Sequence, residues 1–179
     1  METGKSSKLL LEKIVSGGQT GADRAALDWA LAHGVACGGW CPQGRRAEDG
    51  PIDARYPLTE TPSADYVQRT EWNVRDADAT VIFSLAPSLS GGSRLTRELA
   101  LRLGKPCLHL HPGVDAPALL VDFLRRHRVK VLNVAGPRAS HEPDVYRYAQ
   151  QVLDATGITG GQAAPSLPGE RSNAGGDAA

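Results

Sequence analysis

The sequence predicts a single α/β domain built on a mainly parallel sheet. Three observations carry this prediction. Short apolar runs alternate with amphipathic stretches at helical spacing along most of the 179 residues. The run Ala79 to Leu85, "ATVIFSL", is continuously apolar, as in a strand covered on both faces. Glycine-bearing segments follow the first, third and fifth apolar runs, where such a sheet places its ligand-facing edge. Strands alternating with helices pair in parallel through right-handed crossovers. The expected result is a three-layer, Rossmann-like sandwich of about five to seven strands.

The elements follow in order. Leu9 to Ser16 reads as the first strand. Thr20 to His33 reads as a helix, with Ala22, Ala25, Ala26, Trp29 and Ala30 forming its buried stripe and Gly34 ending it. Val35 to Trp40 is a second strand weakened by two glycines. The segment "CPQGRRAEDGPIDARYPLTETP" is a long polar loop, and loops of that length are often functional. Ser63 to Asp76 reads as a helix, Ala79 to Leu85 as the third strand, and Ser93 to Leu103 as a helix ending at Gly104. Pro106 to Leu110 is the fourth strand, Pro117 to His127 a helix, Lys130 to Val134 the fifth strand, and Glu142 to Thr156 the last helix. The domain is expected over residues 9–156. Residues 1–8 and 157–179 are expected to be flexible tails, the second being rich in Gly, Ala, Ser and Pro.

Lys plus Arg and Asp plus Glu each number 20, so the formal net charge is zero. That balance argues against nucleic acid or an anionic membrane as a partner. No apolar stretch reaches the ~18 residues of a membrane helix. The start of the chain has no secretory apolar region of ~7–15 residues, and a cytoplasmic location is the default. Three cysteines, Cys37, Cys41 and Cys107, suggest neither a disulfide framework nor a closed zinc site. His109 and His111 share a face if they lie on a strand. They read either as half a metal site or as two side chains at a strand end.

The chemistry is concentrated at the strand ends. In "SGGQTGADRAALDWA" the turn matches neither the dinucleotide fingerprint nor the Walker P-loop. It remains a glycine-rich turn opening a helix. Gly17, Gly18 and Gly21 let an anion approach backbone N–H groups, and Gln19 and Thr20 add side-chain donors. The alternative is simple capping, with Thr20 as N-cap and Asp23 completing a variant capping box. "SGGSRLTRE" repeats the pattern: Gly91, Gly92, Ser93 and Thr96 make a second candidate seat, with Ser93 able to cap. Glu98 reads as a catalytic carboxylate or as an arginine's ion-pair partner. Arg45, with Arg46, sits in the long loop, and arginine's planar fork suits phosphate or another oxyanion; Glu48 and Asp49 are competing partners. Trp40 and Trp72 offer flat surfaces for a heterocycle or else belong to the core. Asn73 is a polar group inside a core-like helix, able to read a ring edge.

"SGGQTGADRAALDWA", "GGWCPQGRRAEDGPID", "QRTEWNVRDADATVIF" and "SGGSRLTREL", in this order and spacing, make the sequence from about Lys13 to Ala155 resemble the molybdenum cofactor carrier family. That family is similar to the wider Rossmann-like group that includes the "lonely guy" nucleotide phosphoribohydrolases. The resemblance implies a homo-oligomer, often a dimer or tetramer, with ligand clefts at the strand ends. It implies binding of molybdenum cofactor, a pterin with a phosphate, a dithiolene and an oxo-molybdenum centre, for a molybdoenzyme acceptor. By position, Gly17 to Gly21 and Gly91 to Thr96 are then the anion contacts, Arg45 faces the ligand, and Cys41 is the thiol to consider for molybdenum. The function expected is carriage without chemical turnover. The phosphoribohydrolases carry P-G-G-x-G-T-x-x-E. Here Glu98 keeps its distance from the paired glycines, but the proline is serine, the middle glycine is missing and the threonine falls one residue later. Glycosidic hydrolysis through Glu98 and a nucleotide-sensing module therefore stand as alternatives.

Overall fold

The computed structural model describes residues 9–160. Five parallel strands form the central sheet: β1 (Lys13–Val15), β2 (Ala36–Gly38), β3 (Ala79–Phe83), β4 (Cys107–Leu110) and β5 (Val131–Ala135). Their order across the sheet is β2-β1-β5-β3-β4. Four helices connect them, α1 (Ala22–Ala32), α2 (Tyr66–Asp76), α3 (Gly91–Arg102) and α4 (Ala116–Arg126), and α5 (Val145–Ala155) follows β5. Helices α1, α4 and α5 pack together on one face, and α2 and α3 pair on the other. The chain is thus a three-layer α/β/α sandwich, the fold class read from the sequence.

Residue pattern explains the layers. All five residues of β3 are buried, because helices cover both of its faces. On α1, Ala22, Ala25, Ala26, Trp29 and Ala30 turn into the core, and the small side chains let α1 lie close to the sheet and to α5. Leu120, Phe123 and Leu124 of α4 and Val145, Ala149, Val152 and Leu153 of α5 complete that core. Each large apolar side chain buried there contributes about 1.5–3 kcal/mol. Asp65 caps α2 by accepting the Val67 N–H, and Asp115 caps α4 by accepting the Ala118 N–H. Gly34, at φ 64°, leaves α1 in the left-handed region that a side chain would resist.

Several expected boundaries move. The first predicted strand divides into Leu10–Leu11 and β1. Leu10–Leu11 pairs with Thr159–Gly160, and Ile158 is buried, so the folded domain runs beyond residue 156. The remaining tail positions, 1–8 and 161–179, lie outside the described residues. The N-cap of α1 is Gly21 rather than Thr20, and it makes no side-chain cap. The N-cap of α3 is Ser90 rather than Ser93, so Gly91 and Gly92 form the first turn of the helix itself.

The long polar loop is not structureless. Trp40–Cys41 pairs in parallel with Thr59–Glu60, and Arg46–Ala47 forms a small antiparallel ladder with Gly50–Pro51. Beneath them Cys41, Ile52, Tyr56 and Leu58 pack on Leu27 of α1 as a second, smaller core.

Candidate functional site: a cleft at the carboxyl edge of the sheet

The strand order reverses between β1 and β3. From β1 the chain steps outward to β2, then crosses to β3 and β4 on the other side, and β5 returns between β1 and β3. Loops diverge at such a switch point and leave a crevice. Here it is a cleft of about 330 Å³, within the size range of small-molecule sites. Tyr66, Arg69, Thr70 and Asn73 of α2 line one side of it. Ser88 to Ser93 and Thr96, at the start of α3, line another. Ser84, Asn133 to Pro137, and the following Arg138, His141 and Glu142 supply the rest.

The two glycine turns turn out to be different objects. The second is open. Gly91 and Gly92 lie on the cleft, and a Cβ at either would meet nothing within 4 Å. Ser90 makes no side-chain cap, and no acidic residue occupies the first turn. The opening N–H groups of a helix have no intrahelical acceptor, and the helix dipole adds partial positive charge there. Ser93 and Thr96 are buried beside this turn, though the Thr96 hydroxyl donates to the Gly92 carbonyl at 2.9 Å.

The first turn is closed. Its Gln19 N–H donates to Asp23 at 3.2 Å, its Thr20 N–H to the Gln19 side-chain oxygen at 3.0 Å, and the Ala22 N–H to the Pro137 carbonyl at 3.4 Å. Thr20 Oγ1 donates to Glu48 and accepts the Ala139 N–H. Gly18 lies under Leu58 and Ile52, and Gly21 lies against the Pro137 carbonyl. Only Gly17 and Gln19 of this turn reach the cleft.

Gly17 has a neighbour that its sequence context does not show. A Cβ there would stand 1.4 Å from Arg69 Nη1, so the glycine makes room for a guanidinium. Arg69 Nη1 donates to Asp23 at 2.9 Å, and both side chains are largely buried. Burial pushes the Asp23 carboxyl above the usual carboxylate range, against the pull of Arg69. Among the described residues, two buried donors in this wall find no partner, Gln19 Nε2 and Arg69 Nε.

Arg45 does not face the cleft. It donates to the carbonyls of Ile52 (2.9 Å), Leu58 (3.1 Å), Asp53 (2.8 Å) and Tyr56 (3.0 Å), stapling the loop over its small core. Hydrogen bonds from a charged donor contribute more than neutral ones, so Arg45→Ala is expected to cost about 2–3 kcal/mol of stability; urea unfolding measures it. Asn73 is equally committed: it accepts the Trp40 N–H at 2.8 Å and donates to the Trp40 carbonyl at 2.9 Å, pinning the chain beyond β2. Trp40 and Trp72 pack edge to face at 4.7 Å away from the cleft lining. Cys41 is fully buried in the small core. Glu98 is exposed on α3, 3.5 Å from Arg94, and is not part of the cleft.

His109 Nε2 lies 2.7 Å from Ser84 Oγ, which donates to the Ala86 carbonyl; His111 stands beside it, ring centroids 5.3 Å apart. Burial, aided by His111 and Arg97, lowers the His109 pKa below its ordinary value. The unfolded chain then takes up this proton before the folded one does. Stability is therefore expected to fall as pH drops through about 6.5 toward the lower folded value. His109→Gln should flatten that fall in thermal melts recorded across the window.

Tyr66, Arg69, Thr70, Arg138 and Glu142 were not singled out from the sequence. The α2 residues had a signal: positions 66, 69, 70 and 73 recur at i, i+3, i+4 and i+7, a polar stripe along one helix face. Arg138 had a weaker signal: it ends the glycine-bearing segment after the fifth apolar run, which the sequence places at the ligand-facing edge.

A doubly covered parallel sheet with a polar cleft at its switch point and an uncapped helix start in that cleft defines a protein of the Rossmann-like α/β/α class. More narrowly, the chain belongs to the circularly permutated YpsA SLOG family, whose model matches residues 14–157. It is similar to the crystal structure of a "Putative molybdenum carrier protein" from Syntrophus aciditrophicus, at 44% identity and a TM-score of 0.82, covering 86% of this chain and 99% of that one. No curated protein matches. The resemblance read from the four sequence motifs agrees with this relative. Among the described residues, no helix is long and apolar enough to cross a membrane.

Proposed function

We propose that the cleft binds an anionic, phosphate-bearing small molecule without turning it over, and that molybdenum cofactor is the cargo. The observation that carries this reading is the open start of α3, with Arg69 and Arg138 lining the same cleft. Gly91, Gly92 and Ser93 are the residues for the phosphate, which needs unobstructed N–H donors. Gln19 and the two arginines suit the oxygen-rich remainder. Cysteine thiols are absent from the cleft lining; the cofactor's own dithiolene supplies sulfur to the metal. The name printed for the relative from Syntrophus aciditrophicus supports a carrier role. The carrier would work in the cytoplasm as a homo-oligomer, a dimer or tetramer, and deliver its cargo to a molybdoenzyme.

The position of Glu98 lends no support to glycosidic hydrolysis. The carboxylates that line the cleft are otherwise engaged, Asp23 with Arg69 and Glu142 with the Leu85 N–H at 2.6 Å. The test is a set of parallel anaerobic titrations with molybdenum cofactor, AMP and molybdate, with adenine release followed in the AMP arm. Selective cofactor binding, unchanged in Glu98→Ala, is expected. Adenine release that Glu98→Ala removes would replace the carrier with a hydrolase.

A further inference from the structure

Arg69 and Arg138 come from distant parts of the chain, α2 and the loop after β5, yet both line the cleft and meet at one side chain. The Tyr66 ring lies 5.6 Å from the Arg69 guanidinium carbon and 5.7 Å from that of Arg138. Each arginine is also held from another direction by a carboxylate. Asp23 takes Arg69 Nη1 at 2.9 Å, and Glu48 stands 4.0 Å from Arg138 Nε. The contacts with Glu48 are unequal: it accepts the Ser140 N–H at 3.1 Å and the Ser140 hydroxyl at 2.5 Å, so Arg138 is only loosely held by it.

Two guanidiniums directed at one cleft repel each other, and something must hold them together. More carboxylates would do so at the cost of the positive charge and the N–H donors that an anion needs. An aromatic face attracts cations through its quadrupole and consumes neither. We propose that Tyr66 is a positioning residue that holds Arg69 and Arg138 together at the cleft, so that both present N–H donors to one multiply charged anionic group. The inference rests on the anion-binding reading of this cleft. It adds a preference in ligand class: a dianionic phosphate or oxyanion gains from both cations, a monoanionic carboxylate much less.

The role belongs to the ring and not to the hydroxyl, so Tyr66→Phe separates it from a general structural role. The experiment titrates molybdenum cofactor, anaerobically, into wild type, Tyr66→Phe, Tyr66→Leu, Arg138→Gln and the Tyr66→Leu/Arg138→Gln double variant. Thermal melts of each accompany the titrations. Tyr66→Phe is expected to stay within about twofold of wild type. Tyr66→Leu should weaken binding about tenfold, the scale of two cation–π contacts. Because Tyr66 acts partly through Arg138, the double variant should lose less than the product of the single losses. Affinity in Tyr66→Leu should also depend less on salt than in wild type. Wild-type binding with an unweakened Tyr66→Leu, or with fully multiplicative losses, overturns the positioning role and leaves the carrier reading standing. Tyr66→Phe failing like Tyr66→Leu overturns it as well. No binding by wild type overturns both.

Discussion

Gly92→Asp is expected to weaken ligand binding by about 100-fold or more while leaving the fold intact. The new carboxylate would sit in the first turn of α3, on the N–H groups proposed for the ligand phosphate. A negative charge there stabilises the helix by about 0.3–1 kcal/mol through the same dipole that attracts the anion. The variant therefore gains a cap as it loses a site. Gly92 has no left-handed φ, and a Cβ there meets nothing within 4 Å, so backbone strain does not confuse the result. Repulsion between two charges about 4 Å apart spans about 1–4 kcal/mol from bulk water to a protein surface, which sets the loss. Gly92→Ala is the control and should bind nearly as wild type. Isothermal titration reads the affinity, and a melt shows that stability is kept.

Asp23→Ala is expected to destabilise the protein by about 3 kcal/mol or more, because removing one partner of a buried ion pair strands the other. Arg69 would keep its charge above Gly17 with neither its Nη1 nor its buried Nε satisfied. The Gln19 N–H would lose its acceptor in the same step. Asp23→Asn should cost less, since an amide oxygen can still accept from Arg69. Denaturant midpoints for the two variants give the comparison. A loss in Asp23→Ala no larger than in Asp23→Asn would mean that the pair does not hold this wall.

These two residues also show where sequence reading stopped. The strand and helix alternation was legible because each element carries its own period: the all-apolar β3, the alanine stripe of α1, the glycine stops at Gly34 and Gly104. The openness of the second glycine turn was legible because it is local: no acid follows within the first turn of α3. The first turn carries much the same composition, yet it is closed by Pro137, Ala139 and Glu48, all distant in sequence. The setting of Arg45 was hidden for a related reason. Its partners are four backbone carbonyls, and a carbonyl leaves no mark in a sequence. Asn73 was read correctly as polar in a buried setting, but its partner is the backbone of Trp40. The polar stripe of Tyr66, Arg69, Thr70 and Asn73 is legible from its spacing, but what it faces is not, because the opposite walls of the cleft come from loops distant in sequence.

The measurement that bears most directly on the central claim is a crystal structure of the protein with molybdenum cofactor, prepared anaerobically. The phosphate is expected within about 2.7–3.2 Å of N–H groups at Gly91 to Ser93, with the remainder of the ligand reaching toward Arg69 and Arg138. A phosphate seated at Gly17 to Gly21, or bound by Arg45 after release from its carbonyls, would contradict it.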